Sequence, residues 1–189
     1  MTTAVRGQYE FFSPPDAFAI EVSLENTSLT RLPIYRNAIT SLTTRGDMII
    51  CGTSCSDGKS PFVFTASLSD REMKEVKDLE EFIPGQSAVR SGFARWKNRS
   101  FIGGTIPGKN GSGHIFIISF DENSKILIED AGIPVPGEGV LALTQKTHGN
   151  RVYGISYPSG QFFSYDLLNR KSKLYKEISP GSKELAKLS

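Results

Sequence analysis

Residues able to do chemistry are few in this chain and stand far apart. Cys51 and Cys55 are neighbours in sequence, but the chain has only two histidines, His114 and His148. Two thiols with no imidazole close by make a poor zinc site, since structural zinc takes four nitrogen or sulfur ligands. Both cysteines therefore read as inert thiols, no disulfide framework is indicated, and no metal or other cofactor is expected. Pro107-Gly108-Lys109-Asn110-Gly111-Ser112-Gly113-His114 has the glycine and lysine content of a phosphate loop. Its spacing is wrong, and the segment behind it reads as a strand, so no helix N-terminus follows to cradle phosphate. It reads as a long, flexible hairpin loop. No Gly-x-Ser-x-Gly elbow is present, and counting residues identifies no catalytic group. The basic run Arg170-Lys171-Ser172-Lys173, with Lys176 beyond, reads as a solvated turn, with a docking patch for an acidic partner as the alternative.

These residues sit within a repeat. Ile50-Cys51-Gly52-Thr53, Ile102-Gly103-Gly104-Thr105 and Val152-Tyr153-Gly154-Ile155 line up at intervals near 50 residues, as do the segments around Phe64, Phe116 and Phe163. Short strands recurring at that period mark the blades of a β-propeller. Each unit reads as four strands: a at 38–42, 88–91 and 140–143; b at 48–53, 100–105 and 151–156; c around the three phenylalanines; d at 76–79, 125–129 and 173–177. Polar turns with Gly, Asn or Asp precede each strand b. A glycine inside strand b signals close approach by a neighbouring blade. Between Arg71 and Phe82 the apolar residues recur every three positions, closer to helical spacing, but the repeat assigns a strand there.

The two ends of the chain look complementary. Pro84-Gly85 and Pro136-Gly137 introduce strand a in their units, and Pro180-Gly181 stands at a similar spacing. Residues 183–188 therefore read as one more strand a, while 8–13, 17–26 and 28–32 read as strands b, c and d. The expected fold is all-β, a propeller of about four four-stranded blade equivalents. Their bounds are 1–32, 33–83, 84–135, 136–179 and 180–189, the last being strand a of the first or the next blade. Three closures satisfy this count: a four-bladed ring within one chain, an eight-bladed ring of two copies, or an arc of a longer propeller. Unpaired edges favour closure, alone or with a partner chain.

In such a fold ligands gather at the channel mouth, among the loops entering strand a. The candidates there are Tyr35, Gln86 and Glu138, with Arg90 further along strand a. A ring with one carboxylate does not suit calcium, which takes about six to eight oxygen ligands.

Composition sets outer bounds. With 38 % hydrophobic and 22 % charged residues, 189 residues suit one soluble domain. A formal charge of +2 implies no strong attraction to nucleic acid or an anionic membrane. No signal peptide or membrane-spanning run is seen, so a cytoplasmic location is the default expectation.

The run Tyr153-Gly154-Ile155-Ser156-Tyr157-Pro158-Ser159-Gly160-Gln161-Phe162-Phe163-Ser164-Tyr165-Asp166 resembles blades of the broad kelch-like and gluconolactonase-like propeller group. The resemblance implies the fold and carries no catalytic residue onto this chain. The expected function is a non-catalytic binding module for a protein or a carbohydrate. The alternative is an enzyme, or part of one, of the sugar-acid lyase or lactone hydrolase kind.

Overall fold

The computed structural model describes residues 37–55, 60–97, 99–109 and 111–177. The strands expected at 8–32 and 183–188, and Tyr35, lie outside the described residues. Thirteen strands fall within them and form three similar units. In the first, β1 (Asn37–Arg45), β2 (Met48–Cys55), β3 (Phe62–Ser67) and β4 (Glu72–Asp78) pair in antiparallel succession. The second has β5 (Gln86–Val89) and β6 (Ala94–Trp96), which both pair with β7 (Ser100–Pro107), followed by β8 (Ile115–Phe120) and β9 (Ile126–Gly132). The third is β10 (Gly139–Leu143), β11 (Arg151–Tyr157), β12 (Gln161–Asp166) and β13 (Lys171–Glu177).

Strand d departs from the sequence expectation. In the first unit the strand ends at Asp78, and Leu79–Glu81 form a 3₁₀ turn capped by the Asp78 carboxylate, which accepts from Glu80 N at 2.9 Å. The three-residue spacing of Met73, Val76 and Leu79 thus spans two environments. Met73 and Val76 pack on Phe64, whereas Leu79 turns into the core shared with the second unit. The other outer strands begin at Ile126 and Lys171. Each is entered through a residue in the left-handed region: Arg71 at φ +57°, Ser124 at +62° and Arg170 at +54°. A chain reversing this tightly needs a positive φ, and here three residues with side chains supply it.

Strand a is bulged at the same place in all three units. Ile39 pairs with Thr53 and Ser41 with Gly52, leaving Thr40 over; Val140 pairs with Ser156 and Ala142 with Ile155, leaving Leu141 over. In the second unit the four residues 90–93 face only Gly103 and Gly104, between the pairs Val89–Thr105 and Ala94–Ile102. The strand expected at 88–91 is therefore broken at Arg90. The bulge brings strands a of adjacent units together: Thr40 Oγ1 donates to Val89 O at 2.6 Å, and Ser41 Oγ donates to Val89 O at 3.0 Å.

The units stack face to face. Ile50, Val63 and Ile83 of the first pack against Val89, Phe93, Phe101, Phe116 and Ile118 of the second. Ile102, Ile115 and Ile117 of the second pack against Val140, Val152, Phe163, Tyr165 and Leu167 of the third. Strand alternation explains this, since odd and even positions of strands b and c serve opposite neighbours. Each fully buried Ile or Phe contributes roughly 1.5–3 kcal/mol relative to exposure.

Cross-strand pairing corrects the alignment of the glycines. Cys51, Gly103 and Gly154 are equivalent, because they face Phe64, Phe116 and Phe163 respectively. Gly52 and Gly104 are equivalent to Ile155, one residue beyond Gly154. The two kinds of glycine make room for different things. A Cβ on Gly103 or Gly154 would lie 2.5 Å from a ring atom of Phe116 or Phe163 within the same blade. A Cβ on Gly52 would lie 2.6 Å from Val89 Cγ1, and one on Gly104 2.7 Å from Val140 Cβ, in each case on strand a of the next unit.

Candidate functional site

Among the described residues, the segments entering strand a and those joining strands b and c in the second and third units meet at one end of the stack. Their meeting is fixed by hydroxyls on strand b. Thr53, Thr105 and Ser156 each accept from the first backbone N–H of their own b–c loop closure, those of Phe62, His114 and Gln161, at 2.9, 2.8 and 3.1 Å. Two of these hydroxyls also donate to the residue entering strand a. Thr105 Oγ1 donates to Gln86 Oε1 at 2.7 Å, and Ser156 Oγ donates to a Glu138 carboxylate oxygen. Gln86 and Glu138, named from sequence as channel-mouth candidates, thus occupy corresponding places and do the same work.

Both side chains are engaged. Gln86 is buried, and its amide donates to Pro84 O and Ser112 O at 3.3 Å each. Glu138 is half-buried and also accepts from Ser159 Oγ at 2.8 Å. Arg90 is exposed at the break in strand a, apart from this pair. The loop read as a flexible hairpin is fastened at several points. Gly108 N donates to Gly85 O at 2.8 Å, Gly113 N to Glu138 O at 2.8 Å, and Gly137 N to Ser112 Oγ at 2.8 Å. The result is a braced rim. Its outward residues include Ile133 and Tyr157, each 42 % exposed, with the exposed Pro136 and Pro158 beside them.

One pairing of catalytic type was missed in the sequence. His114 Nδ1 lies 2.9 Å from Asp130 Oδ1, across from strand c to strand d. Sixteen residues of separation hide it, and only strand pairing reveals it. Asp130 also accepts from Gly132 N at 2.8 Å, which orients the carboxylate. A base held by a carboxylate can deprotonate a hydroxyl or thiol bonded to its other nitrogen, but among the described residues none stands there.

Cys51 has the character expected of an inert thiol. Cys51 is buried, and burial pushes its thiol up to about 12, far from the thiolate needed for nucleophilic or metal chemistry. Among the described residues no three His, Cys, Asp or Glu side chains group as metal ligands. The basic run divides: Arg170 pairs with Glu129 of the second unit, whereas Lys173 lies 5.2 Å from the Tyr175 ring centroid. Lys171 and Lys173 belong to strand β13 rather than to a turn.

No family model and no curated protein matches the sequence. Among solved structures, the chain is similar to the β-propeller domain of Cps50 (Swd1) from Myceliophteria thermophila, with a TM-score of 0.50 and 10 % identity. The similarity covers 77 % of this chain and 45 % of that one, so the chain spans less than half the length of the propeller it resembles. The fold is a β-propeller. In its three described blades the strands pair in the order a, b, c, d, and strand a of the second is split into β5 and β6. No described helix is long and apolar enough to cross a membrane.

Proposed function

We propose that this propeller is a non-catalytic binding module that recognises a protein or a carbohydrate through its braced rim. The observation that carries the proposal is the rim itself. Residues 111–114 and loop 133–138 are tied to each other by hydrogen bonds, while Tyr157, Pro158, Ile133 and Pro136 face outward. Rigid loops lose little entropy on binding, and tyrosine is among the residues enriched at recognition surfaces. Within the group, the run from Tyr153 to Asp166 is the reason to compare this chain with kelch-like and gluconolactonase-like propellers. Completion of the ring by a second copy or another chain belongs to the same proposal.

The test is a photo-crosslinking amino acid at position 157 in the full chain, combined with a glycan array. A discrete crosslinked protein, or a glycan retained, that is lost in a Tyr157→Asp, Ile133→Asp variant supports the proposal. Turnover of a lactone or sugar-acid panel, abolished in His114→Ala, overturns it.

A further inference from the structure

The opposite end of the stack carries a cleft that no single stretch of sequence announces. It lies between the first and second blades, has a volume of about 160 Å³, and is lined by Arg45, Arg95, Lys97, Ser100 and Thr44 among others. Arg45 closes strand β1, Arg95 sits on β6, and Lys97 follows it at the turn into β7. Among the described residues no carboxylate lines the cleft. None of the three cations is ion-paired among the described residues. Arg95 Nη2 donates to Thr44 O at 3.1 Å, Arg45 lies 5.5 Å from the Phe120 ring centroid, and Lys97 lies 4.3 Å from that of Trp96.

Two carboxylates near the cleft in sequence, Asp47 and Asp121, are held by neutral donors. Asp47, next to Gly46 of the cleft, accepts from Ser67 Oγ at 2.6 Å and from Ser69 N at 2.8 Å. Asp121 accepts from the N–H groups of Asn123 and Lys125 at 2.9 and 2.8 Å. Lys146 pairs its backbone with that of Arg95 in a parallel bridge but does not line the cleft. Lys97 is held at φ +54°, a conformation that favours Gly or Asn. In a chain of net charge +2, cations from two separate segments thus line one concavity whose described lining holds no carboxylate.

We infer that this cleft binds a single phosphoryl group carried on a peptide. Guanidinium groups present paired donors that match phosphate oxygens, and a dianion suits several cations better than one carboxylate does. Arginine clusters are a recurrent means of reading phosphorylated segments. A nucleic acid strand needs a longer cationic track and exposed rings for stacking. Here Trp96 is 8 % and Phe101 4 % exposed. The site lies at the other end of the blades from the rim, and it stands or falls independently of the proposed function.

The experiment uses the full chain and two probes. One is an immobilised peptide library with a fixed phosphoserine, alongside its serine and glutamate counterparts. The other is inorganic phosphate, followed by amide shifts in NMR. Preferential retention of the phosphoserine library is expected, competed by inorganic phosphate, with shifts centred on Gly46 and Ser100. Arg45→Gln with Lys97→Gln should weaken retention at least about tenfold, the loss of a charged hydrogen bond. Lys125→Gln, on an exposed turn, should change nothing, and circular dichroism checks the fold of each variant. Equal retention of all three libraries, equal weakening by Lys125→Gln, absent shifts at Gly46 and Ser100, or tighter binding of single-stranded RNA would each overturn the inference.

Discussion

Gly104 on one blade and Val140 on the next form a socket and its knob. A Cβ at position 104 would lie 2.7 Å from Val140 Cβ and 2.8 Å from Ser91 Oγ, inside any allowed contact. Gly52 and Val89 repeat the relationship one blade earlier. Gly104→Ala and Gly52→Ala must therefore push adjacent blades apart, and each is expected to cost about 1–3 kcal/mol, the usual range for overpacking. Gly92→Ala is the matched comparison, because nothing stands within 4 Å of its Cβ position. Urea unfolding of the three variants checks this. Equal midpoints for Gly104→Ala and Gly92→Ala would show that the blades do not depend on the socket.

The same device bears on what can follow the third blade. Ile155 stands where Gly52 and Gly104 stand, so the socket is filled there. Around it, Tyr153 stacks on Phe162 at 6.2 Å between centroids, and Phe162 contacts Tyr175 at 5.1 Å. A neighbour packing on this face would meet an isoleucine where the first two blades present a glycine. Ile155→Gly, which opens the socket, is expected to lower stability by roughly the 2–5 kcal/mol of a large-to-small core change if the face is packed, and by far less if it is open to solvent. Thermal unfolding with and without the change separates the two cases.

Tyr165 ties the second and third blades at a defect in the ladder. In β9, Ile115 pairs with Gly132 and Phe116 with Asp130, which leaves Ala131 as the extra residue of a bulge. The Tyr165 hydroxyl donates to the Ala131 carbonyl. Tyr165→Phe leaves that carbonyl unpartnered in the core, at a cost of about 1–3 kcal/mol. Burial also holds the phenol above its ordinary value. A group whose folded pKa is raised contributes stability that is complete below the unfolded pKa, near 10, and fades as pH rises through the folded one. Wild type should thus lose stability above about pH 10, and the phenylalanine variant should lose less over the same interval.

The sequence shows some of this and conceals the rest for physical reasons. Strands b and c are legible because Phe64, Phe116 and Phe163 repeat and their neighbours alternate. The one-residue misplacement of Gly154 arises because the second blade has two adjacent glycines, Gly103 and Gly104, and only cross-strand pairing says which one a lone glycine matches. The break at Arg90 is hidden because Val89 and Ser91 keep the alternation across it. Gln86 and Glu138 follow the turn prolines in sequence, but their engagement by Thr105 and Ser156 depends on loop geometry. The Arg45, Arg95 and Lys97 cleft is assembled by blade packing, and no window of sequence contains it.

Cys51 offers a reading of the first blade's outer face, where Ile49, Cys51 and Phe64 form a buried group. Burial pushes its thiol up to about 12, so at pH 8 almost none is thiolate. In a Cys55→Ser background, maleimide labelling of Cys51 should be negligible in the native protein and complete in denaturant. Rapid native labelling would mean that this face opens.

The acid limit of stability should involve Asp47. Hydrogen bonds from Ser67 and then Ser69 hold its carboxyl below the usual value, although the group is exposed. A depressed carboxylate contributes stability that is present above the unfolded pKa, near 3.9, and is lost as pH falls through the folded value. Asp47→Asn should thus be less stable than wild type at neutral pH and converge with it in acid, because both then carry a neutral side chain at the turn. Ser67→Ala removes the main donor, lets the Asp47 carboxyl rise toward its ordinary value, and should shrink the stability lost on acidification. Denaturation across an acid titration, read by tryptophan fluorescence from Trp96, gives both curves. A constant gap between wild type and Asp47→Asn down to the lowest pH would mean that the turn gains from the geometry of residue 47 and not from its charge.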